Sequence, residues 1–124
     1  MHFGIGVDIE DVGRFSSLDL KRHRLFLQRI FTKKEIKYCF ARKNYGPHLA
    51  ARFCGKEAVI KALSSIGIIG VPYNMIEITN NRYDVPVVKM SQKTQKIIVK
   101  LSLSHTKDIA IAFVIVMSHN SYAR

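Results

Sequence analysis

Apolar and polar residues alternate at the start of the chain. One parity of this segment is apolar: Phe3, Ile5, Val7 and Ile9. The other parity begins with Gly4 and Gly6 and continues to Asp8. Alternation of this kind predicts a strand with one buried face. The second face has no side chains at the two glycines, so another backbone or a ligand can approach closely beside Asp8.

Two helices are predicted in the middle of the chain. Thr32 and Glu35 have the spacing of a capping box, which predicts a helix that runs to about Lys43. The Tyr-Gly-Pro sequence at 45–47 ends that helix. Pro47 suits the first turn of a second helix, which should extend to about Ser65.

The second predicted helix lacks a broad polar face. At 100° per residue its large apolar residues occupy one side, and its small residues occupy another. Arg52 and Lys56 fall among the large apolar residues, whereas Glu57 and Lys61 form a narrow strip. Glu57 and Lys61 stand four apart, and a surface pair at that spacing contributes only about 0.2–0.5 kcal/mol. The pattern therefore predicts a helix that is covered on most sides and carries embedded charges.

The second half of the chain is rich in strand-forming residues. Strands are predicted over 75–79, 86–90, 97–105 and 109–117, and a hairpin turn is predicted at 106–108. The polar segment after residue 90 is predicted to form one or two helical turns. A strand, then helices, then strands indicate an α+β fold in which an antiparallel sheet packs against a long central helix. All 124 residues are expected to form a single domain, 1–124.

Composition adds a charge asymmetry. The formal charge is +11, and ten Lys or Arg residues lie between positions 14 and 43 against only Asp19 and Glu35. A basic block of this kind attracts an acidic partner. The two cysteines, Cys39 and Cys54, give no disulfide framework, and no segment resembles a signal peptide or a membrane span. We therefore expect a cytoplasmic protein with no membrane association.

Two carboxylates stand out by position. Asp8 lies on the bare face of the first strand, and Glu57 lies in the covered helix. Each is more often structural when taken alone, but together they suit Mg²⁺, which prefers oxygen ligands. Arg52, Lys56 and Lys61 supply donors for phosphate oxygens nearby. The combination points to phosphoryl-group chemistry.

Four segments together resemble one known family. They are "GIGVDIEDVGRF" near the N-terminus, "RIFTKKE" at 29–35, "LAARFCGKEAVIKAL" at 49–63 and "LSLSHTKDIAIAFVI" at 101–115. Their order and spacing are similar to those of the holo-acyl-carrier-protein synthases, small 4′-phosphopantetheinyl transferases. The resemblance covers nearly the whole chain.

The resemblance implies a reaction and a set of residue roles. Asp8 and Glu57 would hold Mg²⁺ together with the pyrophosphate of coenzyme A, while a serine of the apo acyl carrier protein attacks the β-phosphate and 3′,5′-ADP leaves. Lys61 would stabilise or protonate the leaving phosphate. The general base stays open among Glu57, Asp8 and a metal-bound water. The implied coenzyme A contacts are Lys43, Arg52, Lys56, His105 and Thr106. From strand parity alone, His105 is more often a core or strand-end residue than a catalytic one.

The resemblance also assigns a role to the basic block. An acidic carrier protein would dock on a surface formed by Arg14, Lys21, Arg22, Arg24, Phe26 and Arg29. Family members of this size are typically trimers with sites between adjacent subunits, so the resemblance implies a homotrimer. The alternative function is a small basic nucleic-acid-binding protein, which leaves Asp8 and Glu57 without a role. We expect no nucleic-acid partner.

Overall fold

A computed structural model of the chain describes residues 1–90 and 96–120. The α-helices are α1 (Gly13–Ser16), α2 (Arg24–Ile30), α3 (Lys33–Phe40) and α4 (Gly46–Ser65). The strands are β1 (His2–Asp11), β2 (Ile76–Asn80), β3 (Pro86–Met90), β4 (Ile97–His105) and β5 (Ile109–Ser118), and a short 3₁₀ helix covers Tyr73–Met75. The helical turns predicted after residue 90 fall on 91–95, which lie outside the described residues.

The strands form two antiparallel sheets. The larger sheet has the order β1-β5-β4, and the smaller one pairs β2 with β3. Helix α4 packs across the inner face of the larger sheet, where alternate residues of β5 from Ala110 to Val116 are fully buried. The predicted α+β fold, with an antiparallel sheet against a long central helix, is confirmed.

The predicted helices begin where their sequence signals lie. The hydroxyl of Thr32 accepts a hydrogen bond from the Glu35 backbone N–H at 3.3 Å, and the Thr32 N–H donates to the Glu35 carboxylate at 2.8 Å. This capping box starts α3, which ends at Phe40 and not at the predicted Lys43. Pro47 lies in the first turn of α4, which spans the 20 residues to Ser65.

The two faces of β1 are exchanged relative to the prediction. Its apolar parity, expected to be buried, is between 53% and 64% exposed at each of its four residues. Gly4 and Gly6 are buried instead, because the backbone of α4 lies directly against them. A Cβ at Gly4 would collide with the carbonyl oxygen of Ala62, and one at Gly6 would collide with that of Ala58. The predicted close approach of a backbone is therefore present, and it comes from α4.

The outward side of the larger sheet is an apolar surface, which we call the outer sheet face. Its exposed members on β1, β4 and β5 are Phe3, Ile5, Val7, Ile9, Ile98, Ile109, Ile111 and Phe113. Strand pairing places Val7 opposite Phe113 and Ile9 opposite Ile111, so these side chains form one continuous patch. Among the described residues, none of the helices combines the length and the apolar character needed to span a bilayer.

Candidate active site

The end of β1 and the middle of α4 bring three predicted site residues together. Asp8 lies opposite Ala112 in the β1–β5 pair. The Lys61 ammonium on α4 is 3.1 Å from Asp8 Oδ1, and it also donates to the carbonyl oxygen of Val7 at 3.0 Å. Glu57 lies one turn before Lys61 on the same strip of the helix. The glycines of β1 permit this arrangement because they let α4 approach the strand.

One oxygen of the Asp8 carboxylate has no partner. Only 12% of the Asp8 side chain is exposed, and its buried Oδ2 accepts no hydrogen bond from the residues that the structure describes. The neighbouring Cys54 thiol is directed at the carbonyl oxygen of Ala110 at 3.6 Å. Buried carboxylate oxygens normally have a donor or a cation beside them. The free Oδ2 therefore marks a place where a ligand can bind.

A third carboxylate, Glu10, joins this cluster and was not among the predicted site residues. Burial raises the pKa of Glu10 to about 7, and the nearby Asp8 carboxylate adds to the effect. The charge of Arg14, whose Nη1 lies 2.8 Å from Glu10 Oε1, acts in the opposite direction. The signal was available in the sequence, because Asp8 and Glu10 share one parity of a strand.

The aromatic residue Tyr73 also contacts the site and was not predicted. Its hydroxyl donates a hydrogen bond to Glu57 Oε1. That bond, followed by burial, raises the pKa of Tyr73 to about 12, so the hydroxyl stays protonated at neutral pH. The Tyr73 ring packs on Phe53 of α4, with 5.3 Å separating Phe53 from Phe15 and 5.4 Å separating it from Tyr73. No sequence pattern had indicated the short 3₁₀ helix that carries Tyr73.

Lys56 lies away from the carboxylate cluster. Its side chain is fully buried, and its ammonium is 2.7 Å from the Glu35 carboxylate. The ammonium also donates to the carbonyl oxygens of Tyr73, at 2.9 Å, and Ile76. Burial lowers the pKa of Lys56, and the Glu35 charge opposes that shift. The predicted coenzyme A contact does not fit this position, because the ammonium is enclosed and already has three partners.

A cluster of cationic and aromatic side chains surrounds Arg52 near the start of α4. The Arg52 guanidinium is 4.2 Å from the ring centre of Tyr38, and the guanidinium of Arg42 is 3.5 Å from the same ring. Arg52 is only 3% exposed, yet its Nε and Nη2 have no hydrogen-bond partner among the described residues. Burial and the charges of both arginines lower the pKa of His48 beside them. Unsatisfied buried donors with a net positive charge suit an anionic ligand.

Two further predicted contacts lie at the β4–β5 turn. The ring of His105 is exposed and lies 6.2 Å from the ring of His48, which places it at the edge of the Arg52 cluster. The hydroxyl of Thr106 accepts hydrogen bonds from the N–H groups of Asp108, at 3.2 Å, and Ile109, at 3.1 Å. Thr106 therefore shapes the turn that presents His105.

Lys43, the remaining predicted contact, is exposed in the loop between α3 and α4. Its neighbour Arg42 is the residue that reaches the Tyr38 ring, and its Nη1 donates to the Tyr38 carbonyl oxygen at 2.7 Å. Arg42 was not predicted as a site residue, because its side-chain direction depends on where α3 ends.

The predicted docking residues all lie on the surface of α1, α2 and the loop between them: Arg14, Lys21, Arg22, Arg24, Phe26 and Arg29. Phe26 is 43% exposed and lies beside Leu25, which is 78% exposed. A cavity of about 970 Å³ opens between α2 and α3, with Lys21 and Arg24 on one side and Lys33 and Lys37 on the other. This surface combines positive charge with exposed apolar side chains.

Comparison with known proteins places this geometry in a family. Residues 4–114 match the model of the 4′-phosphopantetheinyl transferase superfamily. The chain is 44% identical over 113 residues to the holo-[acyl-carrier-protein] synthase of Thermodesulfovibrio yellowstonii, covering 91% of this chain and 96% of that protein. It belongs to the holo-acyl-carrier-protein synthase family. Membership makes the chain a transferase and confirms the resemblance drawn from the four sequence segments.

Solved structures of other synthases have the same fold. The Bacillus anthracis synthase, in complex with CoA (3′,5′-ADP), is 31% identical and superposes with a TM-score of 0.75 over 93% of this chain and 96% of that one. The Helicobacter pylori synthase, in complex with coenzyme A, is 27% identical, with a TM-score of 0.69 over 91% and 99% of the two chains.

The predicted Mg²⁺ requires oxygen ligands that other groups do not already occupy. Within residues 1–90 and 96–120, no group of three His, Cys, Asp or Glu side chains converges as a complete metal site. Mg²⁺ is typically bound by one or two carboxylates, with substrate phosphates and water filling its other positions. Asp8 fits this requirement, because its buried Oδ2 has no other partner. Glu57 fits as well, since it shares the helical strip of Lys61, which already contacts Asp8.

Proposed function

We propose that this synthase transfers the 4′-phosphopantetheine group from coenzyme A to a serine hydroxyl of apo acyl carrier protein in a magnesium-dependent reaction that releases 3′,5′-ADP. The observation that carries the proposal is the presence of complementary unsatisfied groups along α4. Arg52 has free buried donors, and Asp8, held beside Lys61, has a free buried acceptor. Arg52 and Lys61 are about 14 Å apart along the helix at 1.5 Å per residue. That spacing suits a substrate with several phosphates.

The acidic and basic residues of the site have different proposed roles. Asp8 and Glu57 would hold Mg²⁺, which supplies charge neutralisation at the pyrophosphate when bound. Lys61 is 53% exposed, so its ammonium can turn from Asp8 to a phosphate oxygen and stabilise or protonate the leaving group. The acceptor hydroxyl loses its proton to one of three bases that stay open: Glu57, Asp8 or a metal-bound water.

The Arg52 cluster would bind a phosphate of coenzyme A. Arg52 and Arg42 provide fork-shaped donors that match phosphate oxygens, and His105 closes the edge of the cluster from the β4–β5 turn. Thr106 contributes through the turn that its hydroxyl holds, and Lys43 adds positive charge from the exposed loop. Lys56 is left out of this contact set because of its enclosure.

The reaction is tested by mass spectrometry. The protein is incubated with coenzyme A, Mg²⁺ and an apo acyl carrier protein, and the carrier is weighed for a phosphopantetheine adduct. We expect the adduct with the native chain, and we expect its loss with EDTA or with Asp8→Asn. An unmodified carrier, under conditions in which another synthase modifies it, would refute the proposed transfer.

An acidic carrier protein is the proposed partner of the α1–α2 surface. Its charge complements Arg14, Lys21 and Arg24, and Phe26 offers an apolar contact beside them. Rim charges act mainly on association rates. Arg24→Glu should therefore raise the KM for carrier protein without raising that for coenzyme A, whereas Lys89→Glu, an exposed control on β3, should change neither. Equal losses for both substrates would contradict the docking assignment.

A homotrimer is the proposed assembly. Its support is the outer sheet face, since soluble monomers rarely expose contiguous apolar patches larger than a few hundred Å². Light scattering after size exclusion should give three times the chain mass, and Phe113→Glu, at the centre of the patch, should give monomers. A native monomer would refute this proposal.

Free buried thiols at Cys39 and Cys54 support a reducing, cytoplasmic location.

A nucleic-acid-binding function would give no role to the carboxylates beside α4.

A further inference from the structure

We infer that Tyr73 positions the Glu57 carboxylate for metal binding, a role that rests on the proposed function and extends it to a residue on the 3₁₀ helix. Two consecutive residues of α4 contact Tyr73 of this short helix. Lys56 donates to the Tyr73 carbonyl oxygen at 2.9 Å, and the next residue, Glu57, accepts the Tyr73 hydroxyl. Tyr73 is thus anchored both at its backbone and at its side-chain tip.

The groups that hold the backbone and the ring of Tyr73 have further contacts of their own. The Lys56 ammonium is fully buried and paired with Glu35, and it also donates to the carbonyl oxygen of Ile76, directly after the 3₁₀ helix. The Tyr73 ring lies 5.4 Å from that of Phe53, one turn before Glu57 on α4. The hydroxyl therefore comes from a fixed direction, and the carboxylate that accepts it is restricted to match.

The Tyr73 hydroxyl can orient the Glu57 carboxylate without neutralising its negative charge. An unrestrained glutamate side chain loses substantial rotamer freedom when it binds a ligand. A tyrosine hydroxyl removes part of that cost in advance because it fixes one carboxylate oxygen, and as a neutral donor it leaves the negative charge available. With Oε1 held, Oε2 of Glu57 is the oxygen offered to the metal. Partners of metal ligands typically change metal affinity 10- to 100-fold when they are removed.

The test compares two tyrosine-to-phenylalanine variants. Tyr73→Phe removes the hydroxyl and keeps the ring that packs on Phe53. Tyr45→Phe is the matched control, because the Tyr45 hydroxyl donates to the carbonyl oxygen of Leu18 at 2.5 Å, on the helical connections away from the carboxylates. Mn²⁺ serves as the probe, titrated into protein saturated with coenzyme A and without carrier protein. Free Mn²⁺ is read from its electron paramagnetic resonance signal, and thermal unfolding is recorded for every variant.

We expect Tyr73→Phe to raise the Mn²⁺ dissociation constant about tenfold or more and Tyr45→Phe to leave it within about twofold. The Mg²⁺ concentration for half-maximal activity should rise in parallel for Tyr73→Phe. Unchanged or tighter Mn²⁺ binding by Tyr73→Phe would overturn the inference, the latter because the hydroxyl would then compete with the metal.

Asp8→Asn and Glu57→Gln, measured in the same titration, separate this inference from the function beneath it. If both weaken Mn²⁺ binding and Tyr73→Phe does not, only the positioning role fails. If the native protein binds Mn²⁺ no better than these two variants, the metal assignment fails and the inference falls with it.

Discussion

Replacing Lys56 with Met distinguishes a structural role for this ammonium from a role in binding substrate. Three acceptors lose the Lys56 ammonium as a donor in the variant: the Glu35 carboxylate and the carbonyl oxygens of Tyr73 and Ile76. Met keeps most of the apolar stem, so the change is mainly one of charge and hydrogen bonding. We expect a large loss of stability and no specific loss of coenzyme A affinity in the molecules that stay folded.

The magnitude follows from the burial of the pair. Both side chains are fully enclosed, and breaking a buried ion pair by removing one partner typically costs about 3–5 kcal/mol. With a urea slope of about 2 kcal/mol per molar, the unfolding midpoint should fall by roughly 1.5–2.5 M. The double variant Glu35→Gln with Lys56→Met leaves neither charge unpaired and keeps a side-chain acceptor for the Thr32 N–H, so it should recover part of the loss. Lys34→Met, an exposed control on α3, should stay within about 0.5 kcal/mol of the native chain.

Stability is measured by urea unfolding, followed by far-ultraviolet circular dichroism. The KM for coenzyme A is measured without urea, at a temperature where the variant is folded. A native-like midpoint for Lys56→Met combined with a raised KM would refute the structural assignment. It would show that the ammonium leaves Glu35 and binds the substrate, as the sequence alone had predicted.

Three further predictions test other parts of the structure. Gly6→Ala should destabilise the chain by about 1–3 kcal/mol because α4 leaves no room for a Cβ. The control Gly13→Ala, where a Cβ meets open space, should keep its stability within about 1 kcal/mol of the native chain. Similar urea midpoints for both variants would contradict the close approach of α4 to Gly6. Burial raises the pKa of Cys39 to about 11 and that of Cys54 to about 12. Iodoacetamide at pH 8 should therefore modify both thiols in urea and neither thiol in the native protein. Rapid labelling of the native protein would count against the burial of these thiols. The pKa of Glu10 is raised to about 7 from an ordinary 4.5, so its stabilising contribution is complete below pH 4.5 and is lost as the pH rises to 7. In EDTA, the stability of Glu10→Gln relative to the native chain should therefore increase across that pH range and then level off. A difference in stability that does not depend on pH would exclude the pKa shift.

Local signals predicted much of the fold. The capping box at Thr32 and the proline at 47 each mark a helix start because they act on backbone groups within one turn. The β4–β5 hairpin follows from two strand-forming runs around a short polar turn. Helix α2 was not predicted, since its seven residues expose Leu25 and bury only Leu27 and Ile30, a pattern too short for a clear period.

The exchanged faces of β1 show what a pattern cannot specify. Alternation separates an apolar face from a bare one, but it does not state which of them meets the chain's own helix. Here Gly4 and Gly6 let α4 approach so closely that the bare face becomes the buried one. The apolar face is left outside, and its burial requires another molecule.

For the site as well, residue types could be predicted from the sequence, whereas contacts that depend on packing could not. Asp8 and Lys61 were identified by residue type and by element, and the structure brings them within 3.1 Å. Lys56 was assigned to coenzyme A because the family resemblance implies that role at its position. Its true partner, Glu35, had been interpreted only as a helix cap. A contact between residues so distant in sequence depends on packing, which no local spacing records.

The pairing of β1 with β5 has a consequence for how the protein is made. Among the described strands, β1 pairs only with β5, about 100 residues later in the chain, and Asp8 lies opposite Ala112. Pairings between such distant parts of a chain form late and slow the folding of a domain. During synthesis α4 can form early, but Asp8 is held in place only after β5 has emerged. A nascent chain therefore cannot assemble this active site until β5 has been synthesised.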